Sequence, residues 1–93
     1  MESLDGTISE IRRGPSGSGI VEAWLKTAGG TVLVRLGPAD FLAQNGLRLN
    51  EGSLTAVKGY RAGTPDEDLL IATRVEIGGK SLLLRTGRGM PLW

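Results

Sequence analysis

IVEAWLKTAGGTVLVRLG, residues 20–37, alternates apolar and polar side chains on both sides of a glycine pair, Gly29-Gly30. Glycine readily adopts the positive φ angles of tight two-residue turns, so this stretch predicts an antiparallel hairpin that turns at the pair. That turn sets a register that gathers apolar residues on one face of the hairpin. The predicted cross-strand pairs are Leu25–Val34 and Ala23–Leu36 on the apolar face, and Trp24–Arg35 on the other face.

A second hairpin is predicted from LLIATRVEIGGKSLLLRT, residues 69–86, with its turn at Gly78-Gly79. Its register again separates apolar residues from polar ones, because side chains alternate between the two faces of a strand. We therefore expect residues 23–36 and 73–84 to form two antiparallel hairpins. The predicted pairs of the second hairpin are Val75–Leu82 and Thr73–Leu84.

Two further strands and one helix complete the prediction. LDGTISEIRR, residues 4–13, and LTAVKGYRAG, residues 54–63, have the composition and alternation of strands. A helix is expected within residues 38–46, because Pro38 suits a first helical turn and Gly46 a C-terminal stop. The connections, which are rich in glycine, proline and acidic residues, are a loop at GPSGSG (14–19) and a turn at TPDED (64–68).

The order of these elements predicts an all-β fold. It is a small OB-fold-like Greek-key barrel of five to six strands, with one short helix between strands 3 and 4. The helix is expected to close one end of the barrel with Phe41 and Leu42. An SH3-like barrel is the competing interpretation, but it usually lacks a helix at this point. No linker or internal repeat divides the chain, so residues 1–93 are expected to form a single domain.

Composition argues against catalysis and against a bound cofactor. The 93 residues include no cysteine and no histidine, which removes thiolate and imidazole chemistry and the common zinc sites. The acidic cluster at residues 66–68 is expected to be a solvated turn and not a calcium site. GGKS, residues 78–81, lacks the first glycine of a phosphate-binding loop, because Arg74 holds that position. We expect a non-enzymatic protein with no cofactor and no metal.

Charge and hydropathy limit the partners. The net charge of +1 gives no general attraction for nucleic acid or for a membrane surface. The opening MESLDGTISE has neither the basic nor the apolar region of a signal peptide. No apolar run is long enough to span a bilayer, so membrane insertion is not expected. The residues alone leave localisation and oligomeric state open.

Two stretches, residues 34–60 and 69–93, carry a family resemblance. They resemble a group of small bacterial proteins of unknown function, often exported, whose chains end in the pattern L-R-x-x-x-G-x-P-x-W. Thr86 stands where that group commonly has aspartate. The resemblance implies an OB-fold-like barrel and an exported or periplasmic location, and it implies no activity. The residues that match the ending are Leu84, Arg85, Gly89, Pro91 and Trp93.

The candidate ligand-binding face lies on predicted strands 2 and 3. OB-folds bind oligonucleotides and oligosaccharides there, and aromatic rings beside cations are suited to stacking on bases. Here Trp24 and Arg35 are predicted to form a cation–π pair with each other, and the acidic turn at 64–68 would repel phosphate. The candidate ligand-binding residues are Trp24, Lys26, Arg35 and Tyr60, with Leu33 on the same face.

The stretch that ends at Trp93 is predicted to fold back on the barrel. Gly87 and Gly89 permit a reversal of the chain, and Pro91 restricts the returning residues. A tryptophan can bury ~150–250 Å², enough to hold these residues in place. Arg85, Pro91 and Trp93 are therefore expected to form a latch over the barrel seam or, alternatively, a docking segment for another protein.

These features predict a non-enzymatic OB-fold-like binding or accessory module, with a protein or another non-nucleic molecule as its favoured ligand. The alternative is a single-stranded nucleic-acid-binding domain that uses the strand 2–3 face.

Overall fold

Six strands and one short helix make up the part of the chain that the computed structural model describes, residues 2–13, 19–62 and 69–93. Residues 14–18 of the predicted loop at 14–19, and the predicted turn at 64–68, lie outside the described residues. The elements are β1 (Glu2–Arg13), β2 (Ile20–Thr27), β3 (Gly30–Pro38), α1 (Ala39–Gln44), β4 (Leu54–Ala62), β5 (Leu69–Ile77) and β6 (Lys80–Leu83).

The first five strands form a closed barrel in the spatial order β1-β2-β3-β5-β4-β1. The long β1 strand pairs antiparallel with both β2 and β4, and β4 pairs antiparallel with β5. The barrel closes where β3 and β5 run parallel, with Leu33 opposite Leu69 and Arg35 opposite Ile71. β6 is an extra strand on β5. The predicted small OB-fold-like barrel with one helix between strands 3 and 4 is confirmed.

Alternate residues of the strands fill the barrel, as the period of two in the sequence predicts. Ile8, Leu25 and Leu70 are almost completely buried, and they come from three different strands. Leu42 of α1 and Leu47 after it are also buried in this core. Removing such side chains from water is the main favourable contribution to folding in a chain of this size.

The helix spans Ala39–Gln44, within the predicted range, and it directly follows β3. Pro38 precedes it in an extended conformation, and Gly46 ends it with φ = 73°. The amide of Leu47 donates to the carbonyl of Leu42 at 2.9 Å, which satisfies a terminal carbonyl of the helix. The helix therefore places Leu42 on the core as predicted, with Phe41 partly buried against it.

The β5–β6 hairpin has the predicted turn and register. Gly78 and Gly79 take φ angles of 59° and 81°, the left-handed values that a type I′ turn requires. Val75 lies opposite Leu82. The amide of Leu84 donates to the carbonyl of Thr73 at 2.7 Å, which continues the same register.

The β2–β3 hairpin exists, but its predicted register is wrong by two residues. The turn lies at Ala28-Gly29, and Leu25 is opposite Val32, Ala23 opposite Val34 and Trp24 opposite Leu33. The hydroxyl of Thr27 explains the choice, because it donates to the carbonyl of Gly30 at 2.7 Å and accepts from the amide of Gly29 at 3.2 Å. A shift of two residues leaves every side chain on its predicted face.

Candidate functional site

Trp24 lies on the outer face of β2, between Glu10 of β1 and Leu33 of β3. Leu33 also points outward by alternation, yet it is only 3% exposed. It pairs with Leu69 across the barrel seam. The row across these strands is thus mostly apolar and carries a carboxylate next to the indole.

Arg35 does not lie opposite Trp24. It pairs with Glu22, and its Nε lies 2.9 Å from Oε2 of that carboxylate. The predicted Trp24–Arg35 cation–π pair is therefore wrong, and the two-residue register shift is the reason. The Arg35 side chain is 42% exposed, so this ion pair neutralises charge on the face and contributes little to stability.

The structure spreads the other predicted binding residues over the barrel. Lys26 is exposed on β2, opposite Thr31. Tyr60 lies on β4 opposite Ile71, which in turn pairs with Arg35. Trp24, Lys26 and Arg35 therefore share the β2–β3 face, whereas Tyr60 lies two strands from Arg35. Their assignment to a ligand stays a prediction.

Residues 85–93 fold back as a short loop. Arg85 and Pro91 form an antiparallel bridge, and the amide of Thr86 donates to the carbonyl of Met90 at 2.9 Å. The amide of Leu92 then donates to the carbonyl of Leu84 at 3.0 Å. The returning chain is thus hydrogen-bonded to the residue that follows β6.

Trp93 packs on the barrel beside the start of α1. A Cβ placed on Gly37 would lie 2.9 Å from Cζ3 of the indole, so the ring rests directly on the backbone of β3. Phe41 lies 5.8 Å from the indole, measured between ring centroids, in a tilted arrangement. The guanidinium of Arg85 stands 4.8 Å from the centroid of the indole, within cation–π range.

Arg85 makes a hydrogen bond within this loop. Its Nη1 donates to the carbonyl of Gly89 at 3.1 Å, while its Nε is buried without a hydrogen-bond partner. Leu84 connects the loop to β5 through Thr73, and Trp93 connects it to β3. The loop therefore spans from β5 and β6 to β3, and the predicted latch residues Arg85, Pro91 and Trp93 all lie in it.

Residues 1–82 match the model of the MamS/MamX magnetosome protein family. The chain belongs to that family. No curated protein matches it. The predicted resemblance to a small bacterial group is compatible with this result, but residues 83–93 lie outside the matched range. The L-R-x-x-x-G-x-P-x-W ending therefore stays a prediction for this MamS/MamX family member.

Two structural features are absent from the part of the chain that the structure describes. No described helix of this family member is long and apolar enough to cross a membrane. No group of three or more potential metal-ligating residues occurs in the described part of the chain.

Most of the exposed large apolar side chains of the family member lie in or next to the 85–93 loop along the chain. Of the five large apolar residues that are exposed in the described ranges, four lie in residues 83–93 and the fifth is Leu54. Trp93 is 40% exposed although it packs on Gly37, and Met90 is 63% exposed. We call this set the 83–93 surface; its members are Leu83, Met90, Leu92 and Trp93.

Sequence reasoning missed the residues that receive Trp93. Gly37 appeared only as the end of a strand, and Phe41 only as a core residue of the helix. The signal that was present is a glycine next to Pro38 at the end of β3, where a missing side chain allows close approach of an aromatic ring. The carboxylates of Glu10 and Glu22 on the Trp24 face were also missed, because they depend on strand pairing.

Proposed function

We propose that this chain is a non-catalytic module that binds another protein at the magnetosome. The family supplies the magnetosome context. The observation that carries the protein-binding part is the 83–93 surface, in which exposed apolar side chains are held by a loop that is anchored on the barrel. Clustered exposed apolar residues, with aromatic residues and methionine among them, are typical of protein-binding surfaces.

The anchoring of the loop favours binding. One part of the Trp93 ring packs on Gly37, and the guanidinium of Arg85 covers another part. The neighbouring side chains of Met90 and Leu92 are therefore presented on an ordered backbone. Less conformational entropy is lost on binding when a contact surface is already ordered.

The charges of the β2–β3 face weigh against the nucleic-acid alternative. A single-stranded nucleic-acid site combines aromatic rings with a positively charged groove. Here Glu10 lies beside Trp24, and Glu22 neutralises Arg35. In a titration with oligo-dT at moderate salt we expect binding no tighter than non-specific levels, ~10⁻⁴–10⁻⁶ M. Submicromolar binding that is lost in Trp24→Ala would favour the alternative.

The direct test is co-sedimentation of the purified chain with isolated magnetosomes. We expect the double variant Met90→Ser/Leu92→Ser to reduce the bound fraction by about fivefold or more, because apolar contacts dominate such interfaces. Arg88→Ser, a polar exposed position in the same loop, is the matched control and should bind like the wild type. Trp24→Ala tests the β2–β3 face and should also leave binding unchanged.

The type of ligand is tested by treating the magnetosomes. Protease treatment should remove binding, since the proposal requires a protein on the magnetosome surface. Equal binding to liposomes of the extracted lipids would contradict the proposal, as would loss of binding in Trp24→Ala alone.

A further inference from the structure

The outer face of β1, β4 and β5 carries two adjacent rows of opposite charge. In one row Asp5 and Glu76 lie on either side of Ala56. In the next row along the strands, Lys58 lies directly opposite Arg74. All four charged side chains are exposed, and we call this surface the charged face.

The four charged side chains are exposed to solvent and make no ion pair among the described residues. The two ion pairs found among the described residues, Glu22–Arg35 and Glu2–Arg61, involve none of them. None of the four side chains makes a described hydrogen bond either. Directly opposite like charges, as at Lys58 and Arg74, destabilise a sheet. A negatively charged partner would relieve the repulsion between Lys58 and Arg74.

The acidic row contains a depression. Ala56 is small and is flanked by the two longer carboxylate side chains, and a cavity of about 310 Å³ opens above it. The turn at Gly78-Gly79 borders this cavity without side chains. Leu54, two residues before Ala56 on the same face, is 78% exposed. The face thus offers a negative depression beside a positive ridge and an uncovered leucine.

We infer that the charged face binds the same face of a second copy of this chain. A two-fold axis perpendicular to the strands, running between the two rows, would place each basic row on the acidic row of the other copy. Lys58 would then enter the depression over the partner's Ala56, between the partner's Asp5 and the partner's Glu76. Arg74 would face the partner's Glu76 directly.

Symmetry and charge together select a second copy as the occupant. A two-fold interface is self-complementary, because each residue contact occurs twice with the roles exchanged. A two-fold axis parallel to the strands would instead place acidic rows on acidic rows. A basic peptide would fit the acidic row, but Lys58 and Arg74 would repel it. The exposed Leu54 would be covered by the far end of the partner's β4.

This inference does not depend on the proposed function. The 83–93 surface and the charged face adjoin at β6, where Leu83 lies opposite Arg74. The variants that test the 83–93 surface change Met90 and Leu92, which are not on the charged face. The two proposals can therefore fail separately.

The test is sedimentation velocity of the wild type and three variants, with the two charge-reversed variants measured alone and mixed. The acidic variant is Lys58→Glu/Arg74→Glu, the basic variant is Asp5→Lys/Glu76→Lys, and the control is Arg48→Glu/Arg88→Glu, which matches the charge change of the acidic variant. We expect the wild type to form dimers as its concentration rises toward about 0.5 mM. The dimers should weaken when salt rises from about 0.05 M to about 0.5 M, because screening lowers ionic attraction.

Each charge-reversed variant should raise the dimer dissociation constant by about tenfold or more, and an equimolar mixture of the two should restore dimers. The control should dimerise like the wild type. Circular dichroism verifies folding, and the single changes Lys58→Glu and Glu76→Lys replace any double variant that fails to fold. A monomeric wild type at low salt, dimers unaffected by charge reversal, or a mixture that stays monomeric would each overturn the inference.

Discussion

Trp24 and Trp93 lie on different parts of the barrel and stand in different relations to arginine. The register of β2 and β3 moves Arg35 away from Trp24 and places it opposite Glu22, with which it forms an ion pair. At the other site the guanidinium of Arg85 stacks on the indole of Trp93 at 4.8 Å. Trp24 therefore lies on a face that carries carboxylates, whereas the indole of Trp93 is in contact with a cation.

The two arginines differ in whether strand pairing places a carboxylate within reach of the guanidinium. Glu22 is available to Arg35 across the strand pair. Arg85 makes no ion pair among the residues that the structure describes. Its guanidinium contacts the indole of Trp93 and donates to the carbonyl of Gly89, while its Nε has no hydrogen-bond partner. The consequence for function is that the Trp93 region is an anchored loop with exposed apolar side chains, whereas the Trp24 region is a sheet face on which carboxylates lie beside the indole and beside Arg35.

Removing the anchored indole should have the largest effect on stability. We expect Trp93→Ala to lower the free energy of unfolding by about 2–3 kcal/mol, because the ring loses its contacts with β3 and α1. Urea denaturation measures this value, with Trp24 as the remaining fluorophore. Met90→Ala, at a residue that is 63% exposed, is the control and should change stability by less than about 0.5 kcal/mol. Equal losses of stability in Trp93→Ala and Met90→Ala would contradict the view that the indole anchors the loop.

A smaller loss of stability is expected when Gly37, the residue beneath the Trp93 ring, is substituted. A Cβ at residue 37 would lie within 3.3 Å of three indole atoms, so Gly37→Ala should displace Trp93 and cost about 1–2 kcal/mol. In the Trp93→Ala background the same change should cost almost nothing, and a double-mutant cycle measures the difference. An unchanged cost in both backgrounds would mean that Gly37 matters for another reason.

Substitution of Arg85 should destabilise the protein more than substitution of Arg35. Both losses of stability should be smaller than those expected for Trp93→Ala. Arg85→Gln should cost about 1 kcal/mol, since it removes the ring contact and a partly buried hydrogen bond. Arg35→Gln should cost less than about 0.5 kcal/mol, because the Arg35 side chain is 42% exposed and its charge is largely solvated. Thermal melts at low and high salt measure both values. The comparison fails if Arg35→Gln is the more destabilising change.

A further small effect should come from the β2–β3 turn, whose register sets the distance between Trp24 and Arg35. Thr27→Val removes the hydroxyl that bonds to Gly30 and to the amide of Gly29, and we expect a loss of about 0.5–1 kcal/mol. Nuclear Overhauser contacts between Trp24 and Leu33 should persist, since the cross-strand packing also favours the observed register. New contacts between Trp24 and Arg35 would mean that the hydroxyl alone sets the register.

The turn and register of a hairpin could be predicted from the sequence where the local residues allow only one turn. Gly78 and Gly79 both take left-handed φ angles, so the turn and register of β5–β6 followed from the glycine pair. The pair Gly29-Gly30 allowed two turns, and the Thr27 hydroxyl selected the one at Ala28-Gly29. The faces were still predicted correctly, because a shift of two residues preserves them.

The candidate site was predictable only in part, because it depends on contacts between distant residues. Periodicity placed Trp24 outside the barrel, but it contained no information on Glu10 as its cross-strand neighbour. Turn residues indicated that the chain reverses before Trp93, but not that the ring would rest on Gly37. Such contacts are set by strand order and by the closing of the barrel, which a single strand pattern does not encode.

The most direct test of the central claim is hydrogen–deuterium exchange of the chain, free and bound to magnetosomes. The claim is that the anchored loop, and not the Trp24 face, is where this barrel binds a protein. The predicted result is slower exchange on binding in peptides that cover residues 83–92, with little change in peptides that cover residues 22–36. Slower exchange confined to residues 22–36, with no change in residues 83–92, would contradict it.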